Sequence, residues 1–140
     1  MIVVFTSSRM GLVRTFDHRN VVAAEPIEFT DDQGNRYRVP IGAPSDLAST
    51  PPVLWGPPMN LPPFGDYARS CKVHDAGFQK TLEIWSGEDW VIADLSEDEC
   101  NDLLLACMVA DGVNEDKRTR IYEGVKLFGW KAFRDDRSQI

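Results

Sequence analysis

The sequence predicts an α+β domain, with an N-terminal antiparallel sheet followed by a Pro-rich loop and about three C-terminal helices. Three observations carry this expectation. Short β-branched and aromatic runs separated by turn residues fill residues 1–44. Eight of the nine prolines then fall between Pro40 and Pro63. Helix-capping signals and apolar spacing of 3 to 4 residues begin only after Phe64. Strands first and helices later argue against alternating βαβ units and a parallel sheet.

In chain order, Met1–Phe5, Val21–Ala24, Ile27–Thr30 and Arg36–Ile41 read as strands. Asp31-Asp32-Gln33-Gly34-Asn35 joins the last two as a hairpin turn, since Asp, Asn and Gly supply local side-chain bonds and a left-handed position. Residues 45–64 form the Pro-rich loop, with room for one helical turn near Asp46–Ser49. Proline removes a backbone donor and restricts its predecessor. Pro51–Pro63 is therefore expected to be irregular, pinned by Leu54, Trp55, Met59 and Phe64, and to lie over the helix that follows.

Residues 65–130 read as mainly helical, with 131–140 as a tail. Gly65-Asp66 opens a helix to about Lys80, with Asp66 as N-cap. Trp85–Trp90 interrupts as a loop or small hairpin. Ser96 with Glu99 is a capping box starting a helix that ends near Asp111-Gly112, and Asn114 caps a third through Phe128-Gly129.

At 140 residues, with 43% hydrophobic and 26% charged side chains, the chain fits one globular domain. The formal charge of −7 disfavours a broad nucleic-acid-binding face. No run approaches the roughly 18 apolar residues of a membrane span, and Met1–Phe5 lacks the charged start of a signal peptide. A soluble protein without a secretory signal is expected. Cys71, Cys100 and Cys107 are an odd set without a CxxC pair, so neither a disulfide framework nor a thiolate zinc site is indicated.

His74 is the first candidate for chemistry. On a helix, Tyr67, Cys71, His74 and Phe78 share one narrow face, which aims the imidazole at the core. A buried imidazole needs a partner, and a carboxylate would hold one tautomer and raise its basicity, as suits a general base acting on water. The same pairing also serves a purely structural core histidine. Asp75 points about 100° away around the helix, so the partner is expected to be Asp46 or Asp102. Pairing with either would raise the His74 pKa above about 6.5.

Asp102 lies on the second apolar side of the Ser96 helix, with Leu105, Ala106 and Val109, where it should be partly enclosed and paired with His74 or Arg69. An exposed first-turn Asp favoured by the helix dipole is the alternative. Ser45 reads as the cap of a short turn; Ser49 is a candidate nucleophile, but no glycine-flanked nucleophile elbow surrounds it, and capping is the expected role. Asp46 either closes that loop or approaches His74. Asp46, Asp75 and Asp102 would hold a divalent cation only if the fold gathers them. The tryptophans read as core and loop anchors.

The joint order of Ser45-Asp46-Leu47-Ala48-Ser49-Thr50-Pro51, Trp55, Pro63-Phe64-Gly65-Asp66-Tyr67-Ala68, Val73-His74-Asp75, Asp102 and Tyr122 to Gly129 resembles a phage and prophage family, domain of unknown function 1353. The resemblance covers about residues 25–130. It implies a shared fold, phage or prophage origin, and residence in the host cytoplasm or virion, with a host or phage protein as partner. It implies no activity.

Val73-His74-Asp75 also looks like the catalytic helix of phospholipase A2, though neither flanking paired cysteines nor a glycine-rich calcium loop is present. That similarity would make His74 the base, Asp75 a ligand of a divalent cation such as calcium, and Asp102 the orienting carboxylate. His18, His74-Asp75 and Asp102 follow the order of the HD metal-dependent phosphohydrolases. That family is helical throughout, whereas His18-Arg19-Asn20 reads as a turn between strands. Two functions follow as expectations: a hydrolase of lipid or cell-envelope bonds using His74, Asp102 and Asp46, or a non-enzymatic virion component or host-factor binder with a structural His/Asp cluster.

Overall fold

Apolar residues alternate with polar ones in Ile27–Asp31 and Arg36–Val39, so each presents one face to a core. A computed structural model describes residues 1–7, 12–14, 21–23, 26–42, 44–45 and 67–138. Val3–Phe5 (β1) pairs antiparallel with Ile27–Asp31 (β4), and β4 with Arg36–Val39 (β5). Leu12–Arg14 (β2), Val21–Ala23 (β3) and Pro44–Ser45 (β6) make a second, three-stranded antiparallel sheet in the order β2-β3-β6. Neither β2 nor β6 was expected. The expected turn at His18, the helical turn near Asp46, the Pro51–Pro63 loop and its position over the next helix lie outside the described residues.

The β4–β5 turn forms as its composition dictates. Asp31 Oδ1 accepts from the backbone N–H groups of Gln33 and Asn35, each at 2.9 Å, and Gly34 takes φ 85°.

Ala68–Phe78 (α1) begins at Tyr67, which makes no side-chain cap bond, and not at an Asp66 N-cap. It ends with Lys80 in the left-handed region at φ 57°, where Lys80 N–H donates to Gly77 O and Thr81 N–H to Ala76 O. This reversal sends the chain into Glu83–Trp85 (β7) and Trp90–Ile92 (β8), the hairpin reading of Trp85–Trp90. β7 pairs with β5, completing a sheet of order β1-β4-β5-β7-β8. The main sheet therefore borrows two strands from the helical half.

Glu97–Ala110 (α2) starts on the expected capping box, with Glu99 N–H donating to Ser96 Oγ and Ser96 N–H to Glu99 Oε1, both at 3.1 Å. Gly112 at φ 75° stops it. Glu115–Ser138 (α3) starts with Lys117 N–H donating to Asn114 Oδ1 at 2.8 Å. It continues to Ser138, so most of the expected tail is helix. Arg137 explains the extension: it donates to Phe78 O (2.9 Å), Gly77 O (3.1 Å), Leu95 O (2.6 Å) and Asp94 Oδ1 (2.8 Å). One guanidinium thereby satisfies Phe78 O and adds a second donor to Gly77 O, which also accepts from Lys80 N–H, at the end of α1.

Ile27, Phe29, Tyr37 and Val39 of the sheet pack on Val73 and Ala76 of α1 and on Leu103 and Cys107 of α2. A second cluster joins Tyr67, Cys71, Leu104, Met108, Ile121 and Val125 among the three helices. α1 lies between the two clusters, which is why its polar residues are buried along with its apolar ones. None of the helices among the described residues is long and apolar enough to cross a membrane.

Candidate functional site

His74 occupies the seam between α1 and α2 and is fully buried, at 0% exposure. Its ring lies 4.2 Å from that of Phe78, which meets Phe133 of α3 edge-on. Gly77 lets the seam close: a Cβ there would stand 2.9 Å from Cys100 Sγ. Among the described residues, the partner of the imidazole is Asn101 and not a carboxylate. Nε2 lies 2.8 Å from Asn101 Oδ1, an oxygen that can only accept, so the proton sits on Nε2. Nδ1 is then a lone-pair acceptor, buried without a hydrogen-bond partner among the described residues.

This overturns the expected pairing with Asp102 and the expected rise in pKa. A neutral amide supplies less stabilisation to imidazolium than burial removes, and the His74 pKa is pushed down to about 4. Asp102 is one helical position away from Asn101 and points elsewhere. It is exposed and accepts from the Tyr122 hydroxyl at 2.9 Å, a bond that raises the phenol pKa. It therefore neither orients His74 nor pairs with Arg69. Asp46 lies outside the described residues.

Arg69 instead bonds Asp111 at the far end of α2, through Nε at 2.9 Å and also through Nη2. Ser70 Oγ donates to the other Asp111 oxygen at 2.8 Å. This largely buried triad and His74–Asn101 are two polar rungs spanning the same helix pair. Lys72 and Asp75, also buried, are not without partners.

Asp75 was the metal candidate. Among the described residues, no three His, Cys, Asp or Glu side chains gather as a cation would require, so Asp75 has no ligand set there. The thiols are poor nucleophiles: all three are buried, and burial pushes Cys100 up to about 12 and raises Cys107. Asn101, Ser70 and Asp111 escaped the sequence reading. Asn101 had a usable signal, because it shares helical spacing with Leu104 and Met108 and so lies on an apolar stripe.

Residues 21–125, about three quarters of the chain, match the family described as protein of unknown function (DUF1353). The chain belongs to this family. His74, Asn101, Asp102 and Asp111 all fall inside the DUF1353 span, whereas β1 and the end of α3 bearing Arg137 fall outside it. No curated protein and no solved structure matches the chain.

Proposed function

We propose that this DUF1353 protein acts by binding another protein, as a phage virion component or host-factor binder, with its His74 cluster holding α1 to α2. One observation carries the reading: the imidazole is sealed at 0% exposure against a neutral amide. A general base must reach a water within hydrogen-bond distance and benefits from a pKa near the working pH. His74 has neither, with its pKa pushed down to about 4. The phage association rests on the motif order from Ser45 to Gly129.

A His74→Ala variant tests this. The binding reading expects a lower melting temperature and no hydrolysis of phospholipid or peptidoglycan by the parent protein. Hydrolysis by the parent that disappears in a still-folded His74→Ala variant would overturn it.

A hydrolase is the second reading, favoured by the tautomer. With Nε2–H held by Asn101, Nδ1 is the nitrogen left to accept a proton. Asp75 would then be the residue to bind a divalent cation such as calcium. Calorimetric titration with calcium, magnesium and zinc tests the cation part. Heat that is lost in Asp75→Asn supports it, and no heat with any of the three removes it.

A further inference from the structure

β1 is an edge of the main sheet, and no strand pairs with its outer side among the described residues. Soluble proteins ordinarily protect such an edge with charge, proline or a bulge. No charged side chain, proline or bulge interrupts this strand: it reads Met1-Ile2-Val3-Val4-Phe5, paired in regular register with β4, with Ile2 67% and Val4 60% exposed. Beside it runs the second apolar side of α2, where Val109 is 55% exposed. A groove of about 540 Å³ separates the two, lined by Met1, Ile2, Leu105 and Val109 with Asp102 at its margin. It continues past Val3 and Ala110 to Phe5 and Arg69.

We infer that two copies of this chain pair through β1, antiparallel about a two-fold axis normal to the sheet. That axis makes one continuous ten-stranded sheet from two copies of the five-stranded one. It keeps both helical layers on the same face, so the exposed sides of the two α2 helices flank the seam and cover each other's Leu105 and Val109. One pairing thus accounts for both the bare edge and the second apolar stripe of α2.

Charge selects this edge and this direction. Each copy carries −7, so copies repel except where a face is almost free of charge. The groove beside β1 is acidic at its Met1 end, with Asp102 at its margin and Asp31, Asp32 and Glu99 around Met1, and carries Arg69, itself bonded to Asp111, at its Phe5 end. Antiparallel pairing sets the carboxylate end of one copy against the guanidinium end of the other. Parallel pairing of the same edge would turn the two helical layers to opposite faces of the sheet and leave each Leu105 and Val109 uncovered. The opposite edge, β8, also exposes Val91 and Ile92, but charged groups of both signs crowd it, with Glu88 and Asp89 in its turn and Arg36 and Arg38 over Trp90.

The test is sedimentation equilibrium of the full chain over a wide concentration series. A mass rising to twice that of one chain is expected. Val4→Lys and Val109→Glu, both on exposed side chains, should each weaken association about tenfold or more while leaving circular dichroism and melting of the monomer unchanged. Ile92→Lys on the β8 edge should leave association intact. A monomer at every concentration overturns the inference, as it would if the groove held a strand of another protein. A dimer that survives both β1-side substitutions, or that Ile92→Lys dissolves, overturns it too.

Discussion

Asn101 holds the Nε2–H of His74 at 2.8 Å in a seam closed to solvent, one residue away from a carboxylate that faces outward. A helix advances about 100° per residue. That single step separates a neutral partner, which leaves burial in control of the imidazole, from a charged one, which would favour imidazolium. The electrostatics of the α1–α2 seam turn on which of positions 101 and 102 points inward.

The pH dependence of stability follows. The folded His74 pKa of about 4 lies below its ordinary value of 6.5. Between those values the unfolded chain binds the proton and the folded chain does not, so acidification favours unfolding. The His74 contribution is constant above about pH 6.5 and falls as pH drops toward 4, by about 3 kcal/mol across the window. Chemical denaturation at a series of pH values, with His74→Gln as the reference, reads the difference. An NMR titration placing the His74 pKa above 6.5 would refute the assignment to burial.

Replacing Asn101 with Asp supplies the missing carboxylate. In Asn101→Asp the His74 pKa should rise, and the acid loss of stability attributable to His74 should shrink or reverse. Asn101→Ala should instead leave Nε2–H unsatisfied and cost about 1 to 3 kcal/mol at neutral pH. Denaturation midpoints and the His74 titration of the two variants separate charge from hydrogen bonding. Equal pH profiles for Asn101→Asp and the parent would show that this contact does not set the His74 pKa.

Much of the fold was legible because its signals are local. Asp31 with Gly34 wrote a turn, Ser96 with Glu99 a capping box, and Asp111-Gly112 a helix stop, and each is found in place. Two-residue β6 has too little sequence to register as a strand, and β7 and β8 join the sheet only through a long-range pairing with β5. The end of α3 was unreadable for a related reason. Its helicity continues to meet Gly77 and Phe78, about 60 residues earlier in the chain, through Arg137. At the site, His74 burial followed from spacing, but its partner did not. Attention to carboxylates favoured Asp102, although Asn101 shared the stripe of Leu104 and Met108.

Close helix approach at the seam gives a paired prediction. Gly77→Ala brings a Cβ to 2.9 Å from Cys100 Sγ, inside ordinary contact distance, in a site where Cys100 is fully buried. Overpacking of this kind typically costs about 1 to 3 kcal/mol, partly offset by alanine's better helix propensity. Cys100→Ala removes the obstructing sulfur. The double variant should therefore be more stable than the sum of the two single changes, and a double-mutant cycle measures the coupling. Additive effects would mean that the two helices separate freely.

Arg137 supplies the last prediction, because its side chain joins three backbone carbonyls and one carboxylate. Asp94, its carboxylate partner, is largely exposed, so that ion pair alone contributes little. The bonds to Gly77 O, Phe78 O and Leu95 O are the larger part, since they satisfy carbonyls at the end of α1 and ahead of α2. Arg137→Ala is expected to lower stability by about 1 to 3 kcal/mol and to speed hydrogen exchange in the last turns of α3. Arg137→Lys keeps the charge but loses the planar fork that reaches several acceptors at once, so it should recover only part of the loss. Asp94→Ala should cost far less than Arg137→Ala. If the two are equal, the ion pair, and not the carbonyl clamp, anchors the helix.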